Sequence, residues 1–120
     1  LQTYRDAAAL GIDTVLTSGA AANCLAGEKM LEQLLALRDE IGGPQVLIGA
    51  GVNAEAIRRL RAGLPGAAAF HMSGKIELES RMRFRREGVP MGLPGLDEWH
   101  IQQTSEAAVR AARAALDAAV

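Results

Sequence analysis

The chain has 120 residues, with 13 basic and 14 acidic side chains and a formal net charge of −1. That length suits one ordinary domain, and the charge balance supplies no field that would draw the protein to nucleic acid or an anionic membrane. Its apolar runs stay far short of the roughly 18 residues that mark a membrane span, and no basic head with an apolar core and a cleavage site opens the sequence. A cytoplasmic protein is therefore expected.

The single cysteine, Cys24, cannot form an internal disulfide, which points to a reducing compartment. A structural zinc site usually needs four Cys or His ligands, and Cys24, His71 and His100 have no paired spacing. The chain opens on Leu1 within what reads as a helix, and an N-terminal portion is expected to precede it.

In chain order, "LQTYRDAAALG" predicts a helix ending at Gly11, and "DTVLTSG" a short β-branched strand. "GEKMLEQLLALRDEIGGP" predicts the clearest helix, with Met30, Leu31, Leu34, Leu35, Leu37 and Ile41 mostly on one face and a Gly-Gly-Pro stop. "QVLIGAG" follows as a strand without alternation, hence covered on both faces, and Asn53 caps the helix "AEAIRRLRAG". "AAAFHMSG" is the third strand. The segment "KIELESRMRFRREGVPMGLPGLDEWH" reads as a long polar, glycine-rich loop before a last amphipathic helix in "TSEAAVRAARAALDAAV".

The three strands end alike, in "TSG", "GAG" and "MSG". Their spacing suits repeated βα units, which implies parallel strands with right-handed crossovers. Three such strands alone leave both sheet edges open, so the chain reads as part of a larger sheet or barrel.

The stretches "GIDTVLTSG", "GAGVN", "FHMSG", "MRFRREGVPMG" and "LDEW" occur in an order that resembles the C-terminal half of the copper homeostasis protein CutC family. The resemblance implies a parallel (β/α)8 TIM-type barrel of which residues 1–120 carry about the last three βα units. It also implies a role in copper homeostasis, with copper as a candidate bound ion. Residues Phe84, Arg85 and Arg86 stand where the family often has Tyr-Arg-Asn. The cysteines proposed to bind copper in the family lie in its N-terminal half.

Alternation along the third strand places His71 and Ser73 on one face, and Phe70 and Met72 on the other. His71 reads first as a hydrogen-bonded core histidine, with a polar ligand contact and a metal ligand as alternatives. Reduced copper prefers soft ligands, but Met30, Met72, Met82 and Met91 form no cluster in sequence. Cys24 is the best single metal candidate because its loop is expected to open at the barrel mouth; the competing reading is a small residue at the start of a helix.

Arg81, Arg83, Arg85 and Arg86 are either a solvated face or an anion clamp. Loops after late barrel strands often bind phosphate through backbone amides. The expected anion site therefore comprises Gly51, Val52, Ser73 and Gly74, with Arg83 and then Arg81 as side-chain partners. No paired carboxylates, Ser-His-Asp set or GxGxxG motif appears, so no reaction type follows. The expected partners are a small anionic ligand or a copper ion, and a homo-oligomer is the expected assembly. The rival to a copper role is a barrel enzyme or binding protein for a small phosphorylated or carboxylated ligand.

Overall fold

The computed structural model describes residues 1–89, 93–95 and 97–119. Helix and strand alternate through the first part: α1 (Gln2–Ala9), β1 (Thr14–Thr17), α2 (Glu28–Ile41), β2 (Gln45–Ile48), α3 (Ala54–Gly63) and β3 (Ala69–Phe70). A two-stranded ribbon, β4 (Lys75–Glu79) and β5 (His100–Thr104), then precedes α4 (Glu106–Asp117).

Local chemistry fixes the helix ends. Gly42 takes a left-handed φ of 62°, and the Gly43 amide donates to the Arg38 carbonyl at 3.1 Å, stopping α2 where the Gly-Gly-Pro signal predicts. The Asn53 side chain accepts from the Ala56 amide at 2.9 Å, and Ser105 Oγ accepts from the Ala108 amide at 3.3 Å. Each such cap contributes about 1 kcal/mol. α4 has no basic residue in its own last turn. Arg61, from the last turn of α3, donates instead to its Ala115 and Ala118 carbonyls, at 3.1 and 2.6 Å.

The strands β1, β2 and β3 form one parallel sheet in that order, with Val15 opposite Val46 and Ile48 opposite Phe70. The two-residue period sorts their side chains. Val46 and Ile48 join Leu31, Leu34, Ile57, Leu60, Ala112 and Ala115 in the core, with Val15 and Phe70 packed against it. On the other face Leu16 is 56% exposed. Full burial of a Leu or Ile side chain contributes about 1.5–3 kcal/mol, so the helix-covered face carries the stability. β2 was expected to be covered on both faces and is covered on one. Among the described residues the parallel sheet is open, and the eight-stranded closure that the resemblance implies is not formed by these residues.

The segment after Gly74 is a correction. It reads as loop in the sequence, yet β4 and β5 pair antiparallel with Lys75 opposite Thr104 and Glu79 opposite His100. Lys75, Ile76, Glu77, Leu78 and Glu79 do alternate charged and apolar, but Lys and Glu are poor strand formers and β5 has a single apolar residue, Ile101. Pairing across the ribbon, rather than propensity, makes these strands.

Candidate functional site

The ends of β2 and β3 come together with the starts of α3 and α4. The Gly49 amide donates to the Thr17 carbonyl at 3.0 Å and the His71 amide to the Ile48 carbonyl at 2.8 Å, which holds the strand ends level. Beyond them Ala50, with a left-handed φ of 70°, and Gly51, at 71°, turn the chain into Asn53. Gly74 turns it again at φ 61°, and a Cβ there would lie 2.9 Å from Val109 Cγ2, so this position requires glycine on both conformational and steric grounds.

A cleft of about 450 Å³ results, and its lining includes Gly51, Val52, His71, Ser73, Gly74 and Lys75. The Ser73 carbonyl accepts from Thr104 Oγ1 at 3.1 Å and the Gly74 carbonyl from the Ser105 amide at 2.8 Å. Those bonds occupy acceptors. Among the described residues the amides of Gly51, Val52, Ser73 and Gly74 have no protein acceptor. Asn53 and Ala108, at the N-terminal ends of α3 and α4, also line the cleft, so the positive ends of two helix dipoles face it.

The four backbone positions expected from the sequence are thus together, with His71 beside them. Arg81 and Arg83 are not. Both are exposed and follow β4, whose five residues carry the chain roughly 17 Å away from Gly74. The cation at the cleft is Lys75, missed in the sequence although it directly follows "MSG". Arg85 is engaged elsewhere: its guanidinium lies 4.9 Å from the centre of the Trp99 ring and 3.4 Å from Glu79 Oε1.

His71 is exposed on the sheet face that the helices of this segment do not cover, the face turned inward in the barrel that the resemblance implies. Its ring does stand next to the strand ends: a Cβ on Gly49 would lie 3.8 Å from His71 Nδ1. Phe70 and Met72 pack on the core side, as alternation predicts.

Cys24 does not open onto a mouth. It is 0% exposed, inside the core, with its amide donating to the Ala50 carbonyl at 2.9 Å. Burial pushes its thiol pKa up, which favours the protonated form and not the thiolate that binds metal. Met30 and Met72 pack against the same core, Met82 is exposed, and Met91 lies outside the described residues. Among the described residues no three His, Cys, Asp or Glu side chains converge as a metal-binding group. The described His, Cys and carboxylate donors of this segment do not assemble a copper site. Cys24→Ser is accordingly expected to lower stability by about 1–3 kcal/mol, the cost of burying a hydroxyl without a partner, and to leave copper affinity unchanged. Denaturant unfolding beside a competition titration with reduced copper checks both halves.

Comparison with known proteins gives the family. Residues 1–76 match the family model described as CutC family. The chain belongs to the CutC family. CutC relatives include a family protein CutC of Chromobacterium violaceum, 42% identical over 119 residues, which cover 98% of this chain and 47% of that protein. A family protein CutC of Aliivibrio fischeri is 36% identical over 97 residues, 81% of this chain and 38% of its own length. A mouse protein named copper homeostasis protein cutC homolog is 36% identical over 84 residues, 69% of this chain and 29% of that protein. The chain spans about half the length of the first of these CutC relatives. The CutC match covers the whole parallel sheet and ends at Ile76, before Arg81 and Arg83. Among the described residues no helix is long and apolar enough to cross a membrane.

Proposed function

We propose that the chain is part of a cytoplasmic βα-barrel that serves copper homeostasis by binding a small phosphorylated or carboxylated ligand, with copper handled indirectly as far as these residues are concerned. One observation carries this reading: Gly51, Val52, Ser73 and Gly74, whose amides have no protein acceptor among the described residues, line one cleft with Lys75, at the N-terminal ends of two helices. An anion there is favoured by each helix end by about 0.3–1 kcal/mol, and by a charge-assisted hydrogen bond from Lys75 by about 1.5–3 kcal/mol. The C-terminal ends of parallel strands are where barrels hold their ligands. His71 supplies a ring nitrogen that can donate to the ligand or accept from it.

Inorganic phosphate is the probe that tests this. Lys75→Gln should weaken its binding roughly tenfold, since about 1.4 kcal/mol is one decade. Arg83→Gln should leave the affinity within about twofold, because an exposed charge that far from the site is screened by salt. Loss of binding in Arg83→Gln with Lys75→Gln unaffected would move the site from the cleft to the arginine segment.

A further inference from the structure

Lys75 borders two spaces. Besides the cleft at the strand ends, it lines a larger cavity of about 1090 Å³ whose other walls come from the β4–β5 ribbon and from the excursion between Glu79 and His100. The chemistry of that cavity changes along the ribbon. Glu77 stands opposite Gln102, and Lys75 is two residues from Glu77, so all three side chains share one face. Lys75, Glu77 and Gln102 are exposed on it. At the far end of the ribbon the Trp99 carbonyl accepts from the Ser80 amide at 2.7 Å. Trp99 lines the cavity together with Met82 and Phe84, which follow Ser80 on the outgoing limb. Phe84 is 75% exposed, and a large aromatic side chain left open beside a cavity marks a binding surface. Arg85 is outside this lining and lies over the Trp99 ring, 4.9 Å from its centre, which holds the indole in place.

We propose that the cleft and this cavity together take a nucleoside monophosphate, with the phosphate beside Lys75, the ribose along Glu77 and Gln102, and the base against Trp99 and Phe84. The assignment rests on the anion reading of the cleft and adds the body of the ligand to it. The order of the lining carries it: a cation, then a carboxylate and an amide that accept from ribose hydroxyls, then aromatic rings on which any base stacks. The distance suits it as well, since from Lys75 to Glu79 β4 extends roughly 13 Å, comparable to an extended nucleotide from phosphate to base. Glu77, Asp97 and Glu98 on the wall repel a second anionic group, which selects a single phosphate at the Lys75 end and an uncharged body. Asp97 and His100 are engaged with each other at 2.5 Å, and Arg86 is the other cation of the lining.

Inorganic phosphate, ribose 5-phosphate and adenosine 5′-monophosphate, titrated in turn into the full chain, test the proposal. Trp99 is the only tryptophan, so its fluorescence reports the far end of the cavity directly. The nucleotide should bind roughly ten- to a hundredfold more tightly than inorganic phosphate, the gain of one stacked base, with ribose 5-phosphate between them. Only the nucleotide should quench Trp99. Phe84→Ser, at an exposed position, should bring the nucleotide down toward ribose 5-phosphate and leave inorganic phosphate unchanged, whereas Lys75→Gln should weaken all three by a similar factor, roughly tenfold. A nucleotide that binds no more tightly than inorganic phosphate, or that binds without any change at Trp99, would overturn this inference and leave the anion cleft standing. Inorganic phosphate binding that ignores Lys75→Gln would overturn the reading of the cleft, and the nucleotide assignment with it.

Discussion

Gly27→Ala is expected to destabilise the protein by about 3 kcal/mol or more, at the upper end for a single substitution. A Cβ at Gly27 would lie 1.9 Å from the Ser18 carbonyl oxygen and 2.9 Å from Gly19 Cα. Both are backbone atoms, so no rotamer change relieves the clash. The crossing is reciprocal, since a Cβ on Gly19 would come within 2.3 Å of the Gly27 oxygen, and Gly19 also needs its left-handed φ of 77°. The same Gly27 carbonyl accepts from the Leu31 amide at 2.9 Å, so moving it would disturb the first turn of α2 and the core residue Leu31. Gly11→Ala is the control: its φ is 76° with no atom within 4 Å of the added methyl, so only the left-handed penalty of about 1–2 kcal/mol applies. Urea midpoints at constant m-value compare the two variants with the unsubstituted chain, and a Gly27 variant no less stable than the Gly11 variant would mean that the backbone crossing is not as close as described.

Two substitutions on opposite faces of the sheet form the second large effect. Ile48→Ala removes a side chain that is 0% exposed and should cost about 2–5 kcal/mol. Leu16→Ala, 56% exposed on the other face, should cost less than about 1 kcal/mol in the 120-residue chain. If the strands close into the proposed barrel in a full-length CutC protein, that face is covered, and Leu16→Ala should then rise to the same roughly 2–5 kcal/mol as a core deletion. If Leu16→Ala stays cheap in a full-length protein, these strands do not close into a barrel with Leu16 inside.

The parallel sheet and the four helices were legible because each has its own local signal. Gly42 stops α2, Asn53 and Ser105 cap α3 and α4, and the runs before Gly19, Gly51 and Gly74 are short and apolar. The backbone part of the cleft was legible for the same reason, since strand ends place Gly51 and Gly74 on one rim once the strands are parallel. The ribbon was not, because β4 and β5 are made by each other, and neither Lys75–Glu79 nor His100–Thr104 has the composition of a strand by itself. That one omission displaced the cation of the proposed anion site. With residues 75–79 read as loop, Arg83 could fold back over the mouth; with them extended, it cannot, and Lys75 stands there instead. Cys24 was misplaced through the third dimension: sequence shows that it follows a strand, but not that its loop folds under the Ala50 carbonyl.

The bonds from Arg61 to the end of α4 have a kinetic consequence for any ligand. α3 and α4 are fastened at the end remote from the cleft and packed through Leu60, Ala112 and Ala115, so they form one plate whose rim carries the donors. The spacing between the Asn53 and Ser105 ends is then set before a ligand arrives, and binding requires no slow rearrangement of one wall toward the other. Phosphate association should accordingly proceed in a single phase whose rate rises linearly with ligand concentration. In Arg61→Ala the two rims would gain independent motion, and a second, concentration-independent phase should emerge.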